Sequence, residues 1–229
     1  MNPKIIFEDE NFLVIDKPYG ITVNNAETNS NQKTIQKWID TRQNKGRTLV
    51  STEFYEKSGI VHRLDKDTSG VLVIAKTESA YLNLKSQFQS RLAGKKYLAL
   101  VHGIVDPAAG TINAPIERNP FNRMKFGIFP GGREAETRYK ILTALKTFTL
   151  LEITPKTGRT HQIRVHMKYI NHPIVSDPIY GGRKQNREDL KFCPRLFLHA
   201  QSLTIKHPIT NELLTFTSPL PEELQKVLN

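Results

Sequence analysis

At 229 residues, 38% hydrophobic and 24% charged, the chain is long enough for one sizeable core and has the balance of a globular domain. Its 33 Lys and Arg against 22 Asp and Glu leave a net charge of +11, which points to a polyanionic partner, nucleic acid first, with an unspecific basic surface as the plainer reading. The single Cys193 excludes an internal disulfide and an all-cysteine metal site, no apolar run approaches the ~18 residues of a membrane span, and the early acidic residues are not expected in a signal peptide, so the protein is expected in the cytoplasm.

Ile5 to Phe7 and Phe12 to Ile15 are two short strand candidates joined by the acidic turn Glu8-Asp9-Glu10-Asn11, a hairpin pattern. It leads into Asp16-Lys17-Pro18-Tyr19-Gly20, a Pro/Gly turn from which Lys17 is expected either to be solvated or to reach a phosphate. Asn24 to Gln32 is polar and expected to be mobile. Thr34 is a candidate N-cap for a helix carrying Ile35, Trp38 and Ile39 on one face, and 42–57 reads as a charged connection.

Between Gly59 and Lys76 two apolar runs flank a polar loop, His62 to Gly70. Ile60 and Val61 end one run, and Val71 to Ala75 form a β-branched run expected to be a strand buried on both faces. Arg63, Asp65, Lys66, Asp67, Thr68 and Ser69 supply more ionic and hydroxyl groups than a turn needs, although Asx-turn chemistry explains some of them.

Thr77 is the candidate cap of a helix with Tyr81, Leu84, Phe88 and Leu92 on one face and Gly94 at its end. Lys95 to Val101 alternates as a strand, with Tyr97, Ala99 and Val101 on one side. From Asp106 to Gly132, Arg118, Arg123 and Lys125, with Arg133 just beyond, interleave with Phe121, Phe126 and Phe129. These aromatics are either base-stacking platforms on a basic arm or anchors to the body.

Glu136 to Leu145 and Phe148 to Thr154 form a second hairpin pattern. Thr160 is the expected cap of a helix in which Ile163, Met167 and Ile170 share a face, and His161 and His166 are wrongly spaced for paired metal ligands. Asp177 to Gly182 makes a tight loop, followed by a solvated basic segment to Lys191. Leu196 to Ile205 reads as a strand pair, a last strand ends near Phe216, and Glu222 to Leu228 suggests a short helix. The expected fold is one α+β domain over 1–229, with a large mixed, mainly antiparallel sheet, flanking helices and a basic active-site cleft.

The run His62-Arg63-Leu64-Asp65-x-x-Thr68-Ser69-Gly70 resembles the signature of the RluA-type pseudouridine synthases. Lys17-Pro18-x-Gly20, Lys95-x-Tyr97, Gly158 to His166, Asp177 to Gly181 and Leu198-His199-Ala200 extend the likeness over most of the chain. The resemblance implies isomerisation of uridine in RNA: cleavage of C1′–N1, rotation of the uracil, joining of C1′ to C5 and loss of the C5 proton. Asp65 matches the catalytic carboxylate, which either attacks C1′ or stabilises it; Tyr97 matches the tyrosine flanking the ring, and Arg164 the arginine paired with the carboxylate. Arg63 matches the residue filling the place of the everted base, Ile163 an apolar wall, and His62, Lys17 and Arg159 further substrate contacts. His161 and Gln162 are expected to be supports. No cofactor or metal is implied, and the expected partner is RNA, bound by a monomer.

The first hairpin begins near residue 5, so the small RNA-binding domain that precedes it in many relatives is not expected. Pro115-Ile116-x-Arg118 and Glu134-Ala135-x-Thr137 look more like members acting on large-subunit ribosomal RNA, with tRNA the close alternative. Two other classes compete: a non-catalytic RNA-binding protein, and a hydrolase using Asp65 and Asp67 as an acid/base pair. Two carboxylates two residues apart in a loop are poorly placed to oppose one another.

Overall fold

Two hydrogen bonds from the backbone to one side chain close the first hairpin. Asp9 Oδ1 accepts from the N–H groups of Asn11 (2.7 Å) and Phe12 (2.8 Å), so the acidic turn is an Asx-type turn. It joins β1 (Lys4–Glu8) to β2 (Phe12–Lys17) in antiparallel register. The computed structural model describes residues 2–25, 32–42 and 52–228. The expected polar stretch 24–32 and connection 42–57 fall largely on 26–31 and 43–51, outside the described residues.

The chain divides into two compact units, Met1–Gly94 with Ala200–Pro219, and Lys95–His199 with Leu220–Asn229. In the first, β3 (Ser69–Ala75) lies between β2 and β10 (Leu198–Lys206), and β11 (Leu213–Thr217) pairs with β10. Every residue of β3 is buried, as its unbroken apolar run demands. Val71, Val73 and Ala75 pack with Phe12, Val14 and Leu203, while Leu72 and Ile74 on the opposite face are equally enclosed. Each such side chain contributes on the order of 1.5–3 kcal/mol.

The expected strand before the loop is only a bridge, Ile60 opposite Ile74. Helix α1 (Ile35–Arg42) starts as expected, with Thr34 Oγ1 accepting from Lys37 N–H at 3.1 Å. Helix α2 (Glu53–Glu56) interrupts the charged connection because Phe54 is buried. Helix α3 (Glu78–Gln89) is capped by Thr77 and lays Ala80, Tyr81 and Leu84 into the same core as β3. It stops before Leu92, which is exposed, and Gly94 opens the next strand rather than ending the helix.

The second unit orders β4 (Gly94–His102), β9 (Phe148–Pro155), β8 (Glu136–Ala144) and β5 (Ala109–Asn113), with antiparallel pairings. A separate ribbon, β6 (Ile116–Arg118) with β7 (Phe126–Ile128), forms the base of the expected arm. Phe126 packs beside a small cluster of Ile116, Ala135, Val165 and Tyr180, whereas Phe121 at the tip is 94% exposed. The aromatics therefore divide between anchor and free surface.

Helix α4 (Gln162–Tyr169) sends Ile163 and Met167 into the core with Ile153 and Leu151. The segment after the 177–182 loop is solvated as expected, and within it α5 (Arg183–Asp189) is anchored by the buried Asp189 carboxylate, which meets His102 Nε2 and Ser176 N–H at 2.9 Å. The expected pair of strands over 196–205 is one continuous strand, β10. A short α6 (Glu222–Gln225) and a 3-10 turn close the chain. The α+β class, the mainly antiparallel pairing and the flanking helices agree with the sequence reading. Among the described residues no helix is long and apolar enough to cross a membrane.

Candidate active site

The first unit presents the polar loop between two tethers. His62 stacks on Phe88, with ring centroids 4.3 Å apart and planes at 15°, and its Nε2 accepts the Val73 N–H at 3.0 Å. That bond leaves the proton of the neutral imidazole on Nδ1. His62, expected as a substrate contact, also fixes the loop to β3 through this bond. Leu64 is buried, and the neighbours on either side of it point outward in varying degree: Arg63 is exposed and Asp65 half-buried. Among the described residues Arg63 makes no ion pair or hydrogen bond. The Asp65 carbonyl accepts from Thr68 N–H at 3.2 Å, closing a turn.

The second tether is Lys17, and here the expected phosphate contact is corrected. Lys17 is 0% exposed, and its ammonium donates to the carbonyls of Pro18 (2.9 Å), Ile21 (2.8 Å) and Lys66 (3.1 Å). An ammonium has three donors, and three carbonyls occupy them. The Lys66 carbonyl also accepts from Gly20 N–H at 2.9 Å, so the K-P-x-G turn is bound to the loop one residue beyond Asp65.

Both ends of the loop are set by glycines. A Cβ on Gly59 would lie 2.0 Å from the Ala75 carbonyl oxygen, and one on Gly70 2.2 Å from that of Ala200; both residues have positive φ.

The second unit carries the remaining expected residues. Tyr97 stands on β4 opposite Ile153, half-buried against the core. Ile163 is a core member at 6% exposure, so core packing is the role observed for the expected apolar wall.

The turn before α4 is stapled by Gln162. Its Oε1 accepts from Thr157 Oγ1 (2.6 Å) and from Arg159 N–H (3.0 Å), and its Nε2 donates to the Glu136 carbonyl (2.9 Å) and to Thr137 Oγ1 (3.0 Å). Arg159 Nε donates to the Glu134 carbonyl at 2.9 Å. Thr160 is not the cap: the residue before the helix is His161, with φ of 55°, and no side chain caps it. Tyr180 holds the His161 ring. Its hydroxyl accepts the Phe126 N–H at 3.0 Å and hydrogen-bonds His161 Nδ1 at 2.9 Å, joining β7 to the start of α4.

Arg164 is buried too, and the acid it grips, Asp177, escaped the sequence reading. Nε and Nη2 donate to Asp177 Oδ2 and Oδ1, each at 2.8 Å, with side chains 2% and 0% exposed. Asp177 Oδ1 also accepts from Ile179 and Tyr180 N–H, and the guanidinium lies 5.2 Å from the Tyr180 ring centre. These contacts aim the fork. The only sign in the sequence was an Asp heading a tight loop. His166, two residues along, is enclosed between Thr137 Oγ1 (2.8 Å) and the Ala114 carbonyl (3.0 Å), and burial pushes its pKa down.

A family model described as RNA pseudouridylate synthase matches residues 11–169, a span containing the Asp65 loop, Tyr97 and Arg164. The chain is 37% identical over 242 aligned residues to ribosomal large subunit pseudouridine synthase D of Pseudomonas aeruginosa, covering 99% of this chain and 71% of that protein. It is 38% identical over 228 residues to the uncharacterized RNA pseudouridine synthase YlyB of Bacillus subtilis, covering 100% and 72%. Among solved structures, human RNA pseudouridylate synthase domain containing 4 superposes with a TM-score of 0.75 at 25% identity, covering 98% of this chain and 91% of that one.

Proposed function

The chain belongs to the RNA pseudouridylate synthase family, and from that premise we propose that it isomerises specific uridines of large-subunit ribosomal RNA with Asp65 as the essential carboxylate. The observation that carries the assignment of Asp65 is its place: a half-buried acid on a loop tied down on both sides, by His62 to β3 and by Lys17 through the Lys66 carbonyl. Fixed acids on rigid scaffolds suit a reaction that depends on position.

In this reading Asp65 meets C1′ of an everted uridine while the C1′–N1 bond breaks. The detached uracil turns against Tyr97, C5 joins C1′, the C5 proton leaves and N1 takes up a proton, so the product is an isomer of the uridine. Arg164, aimed by Asp177, is the arginine that pairs with the carboxylate in the reaction, and the exposed Arg63 fills the gap the base leaves. Both units then serve as one catalytic domain. The isomerisation is redox-neutral, and we take the enzyme to work as a cytoplasmic monomer without metal or other cofactor. A large-subunit target is supported by the name of the Pseudomonas relative and by the net charge of +11.

The test is to map pseudouridine in cellular RNA with and without the gene. Loss of one or a few large-subunit sites, restored by the intact chain and not by Asp65→Ala, is the expected outcome. Loss confined to tRNA would move the target, and an unchanged map would overturn the proposal.

A further inference from the structure

Two lysines are drawn into the body of the protein, and it treats them differently. The ammonium of Lys17 has its three carbonyls at 2.8, 2.9 and 3.1 Å. Lys95, at the start of β4, is half-buried as well, yet among the described residues its Nζ meets one acceptor, the Thr157 carbonyl oxygen, at 3.5 Å. That is the far limit of a hydrogen bond. No carboxylate of the described residues pairs with it. Burial first, and the nearby Lys156 ammonium second, bring its pKa down to about 8. The fold therefore holds a cation where its charge is disfavoured twice and leaves its donors largely unspent, which is unfavourable unless something else supplies the acceptors.

The surroundings indicate what that is. Lys95 and Tyr97 are two apart on β4, on the same side of the strand and about 6.6 Å apart along it. That is the scale separating a nucleotide's base from its own backbone phosphate. Thr157, the one neighbour of the ammonium, lies on the turn that Gln162 staples, and the same turn bears Lys156 and Arg159. A turn fixed from beneath, carrying cations beside a cation short of acceptors, fits an anion with several oxygens.

We propose that Lys95 binds a backbone phosphate of the RNA, the one belonging to the nucleotide whose uracil lies against Tyr97. The inference rests on the reading of Tyr97 as a residue beside the target ring. Phosphate oxygens supply the acceptors and the negative charge that the fold omits at this point, and an ammonium meets them as a point charge.

The test uses the full chain and unmodified large-subunit ribosomal RNA transcribed in vitro. Lys95→Met should weaken binding at least about tenfold at low salt, and should flatten the slope of log affinity against log salt by about one. Lys95→Arg should keep the slope. Between pH 7 and 9 the wild-type affinity should fall and that of Lys95→Met should not. A folded Lys95→Met with the wild-type slope and pH profile would overturn the assignment.

With ¹⁵N-lysine in the wild-type protein, the Lys95 Nζ titration should move upward on adding RNA, and an unmoved titration overturns the proposal without any variant. Replacing chloride by inorganic phosphate at matched ionic strength should not displace the RNA; displacement would assign the site to the free anion instead. Pseudouridine formation is scored separately. If wild type forms none while Lys95 behaves as stated, the enzymatic reading fails and the phosphate contact stands; if wild type is active and Lys95→Met binds like it, only this inference fails.

Discussion

Arg164 and Asp177 share two parallel hydrogen bonds of 2.8 Å at 2% and 0% side-chain exposure, with no water-facing side to either group. Removing one partner of such a pair leaves the other charge buried alone, which costs on the order of 3–5 kcal/mol. Asp177→Ala should therefore lower the melting temperature by about 2–4 °C for each kcal/mol lost in a chain of this size. Asp177→Asn, which keeps an acceptor for the fork, should melt between it and wild type. Calorimetric scans of the three proteins check the order.

Asp65 is a different kind of acid. Its carbonyl closes the loop turn through Thr68 N–H, a bond that Asp65→Asn leaves in place, and its side chain is half-buried. Asp65→Asn should abolish pseudouridine formation, measured by release of tritium from RNA labelled at uridine C5, while shifting unfolding stability by no more than about 1 kcal/mol. A large loss of stability alongside the loss of activity would make the residue structural.

Lys17 should answer in the opposite sense to a phosphate contact. Lys17→Met leaves the carbonyls of Pro18, Ile21 and Lys66 without their shared donor. A hydrogen bond to a charged group is worth about 1.5–3 kcal/mol, so urea unfolding should report a loss of at least that size. The salt slope of RNA binding should stay as in wild type, because the ammonium is spent on the backbone.

Several of these features were open to the sequence and several were not, and the division has a physical basis. Strand alternation and threonine caps are local, so the first hairpin, the β8–β9 hairpin and the starts of α1 and α3 follow from neighbours a few residues apart. The family was legible from spelling alone, in the run from His62 to Gly70.

The misreadings share a tertiary cause. Lys17 looks like any turn lysine until the Lys66 carbonyl, 49 residues away, is brought to it. Thr160 looks like a cap until Tyr180 and Gln162 set His161 and the turn before α4. Asp177 passes for a turn residue until the fold brings Arg164, 13 residues before it, into its grip.

His166 gives the pH dependence. Burial lowers its pKa below the usual 6.5, so the folded state holds it neutral between Thr137 and the Ala114 carbonyl. Below pH 6.5 the unfolded chain takes up the proton first and stability drops as the pH falls; above 6.5 the contribution is flat. His166→Gln, which offers one donor and one acceptor without titrating, should remove this part of the slope. Urea midpoints at pH 8, 6.5 and 5.5 for both proteins measure the difference.

The glycines at positions 59 and 70 carry a mechanical implication. With main-chain oxygens pressed against both Cα atoms, the segment between them has no slack to swing out and fetch a ligand. In the proposed reaction the travelling partner is then the polynucleotide, which unstacks and presents its sugar to a stationary acid. Sites that are already strained or looped out would then be modified ahead of helical ones, and the choice of target would be written as much in the shape of the RNA as in the enzyme.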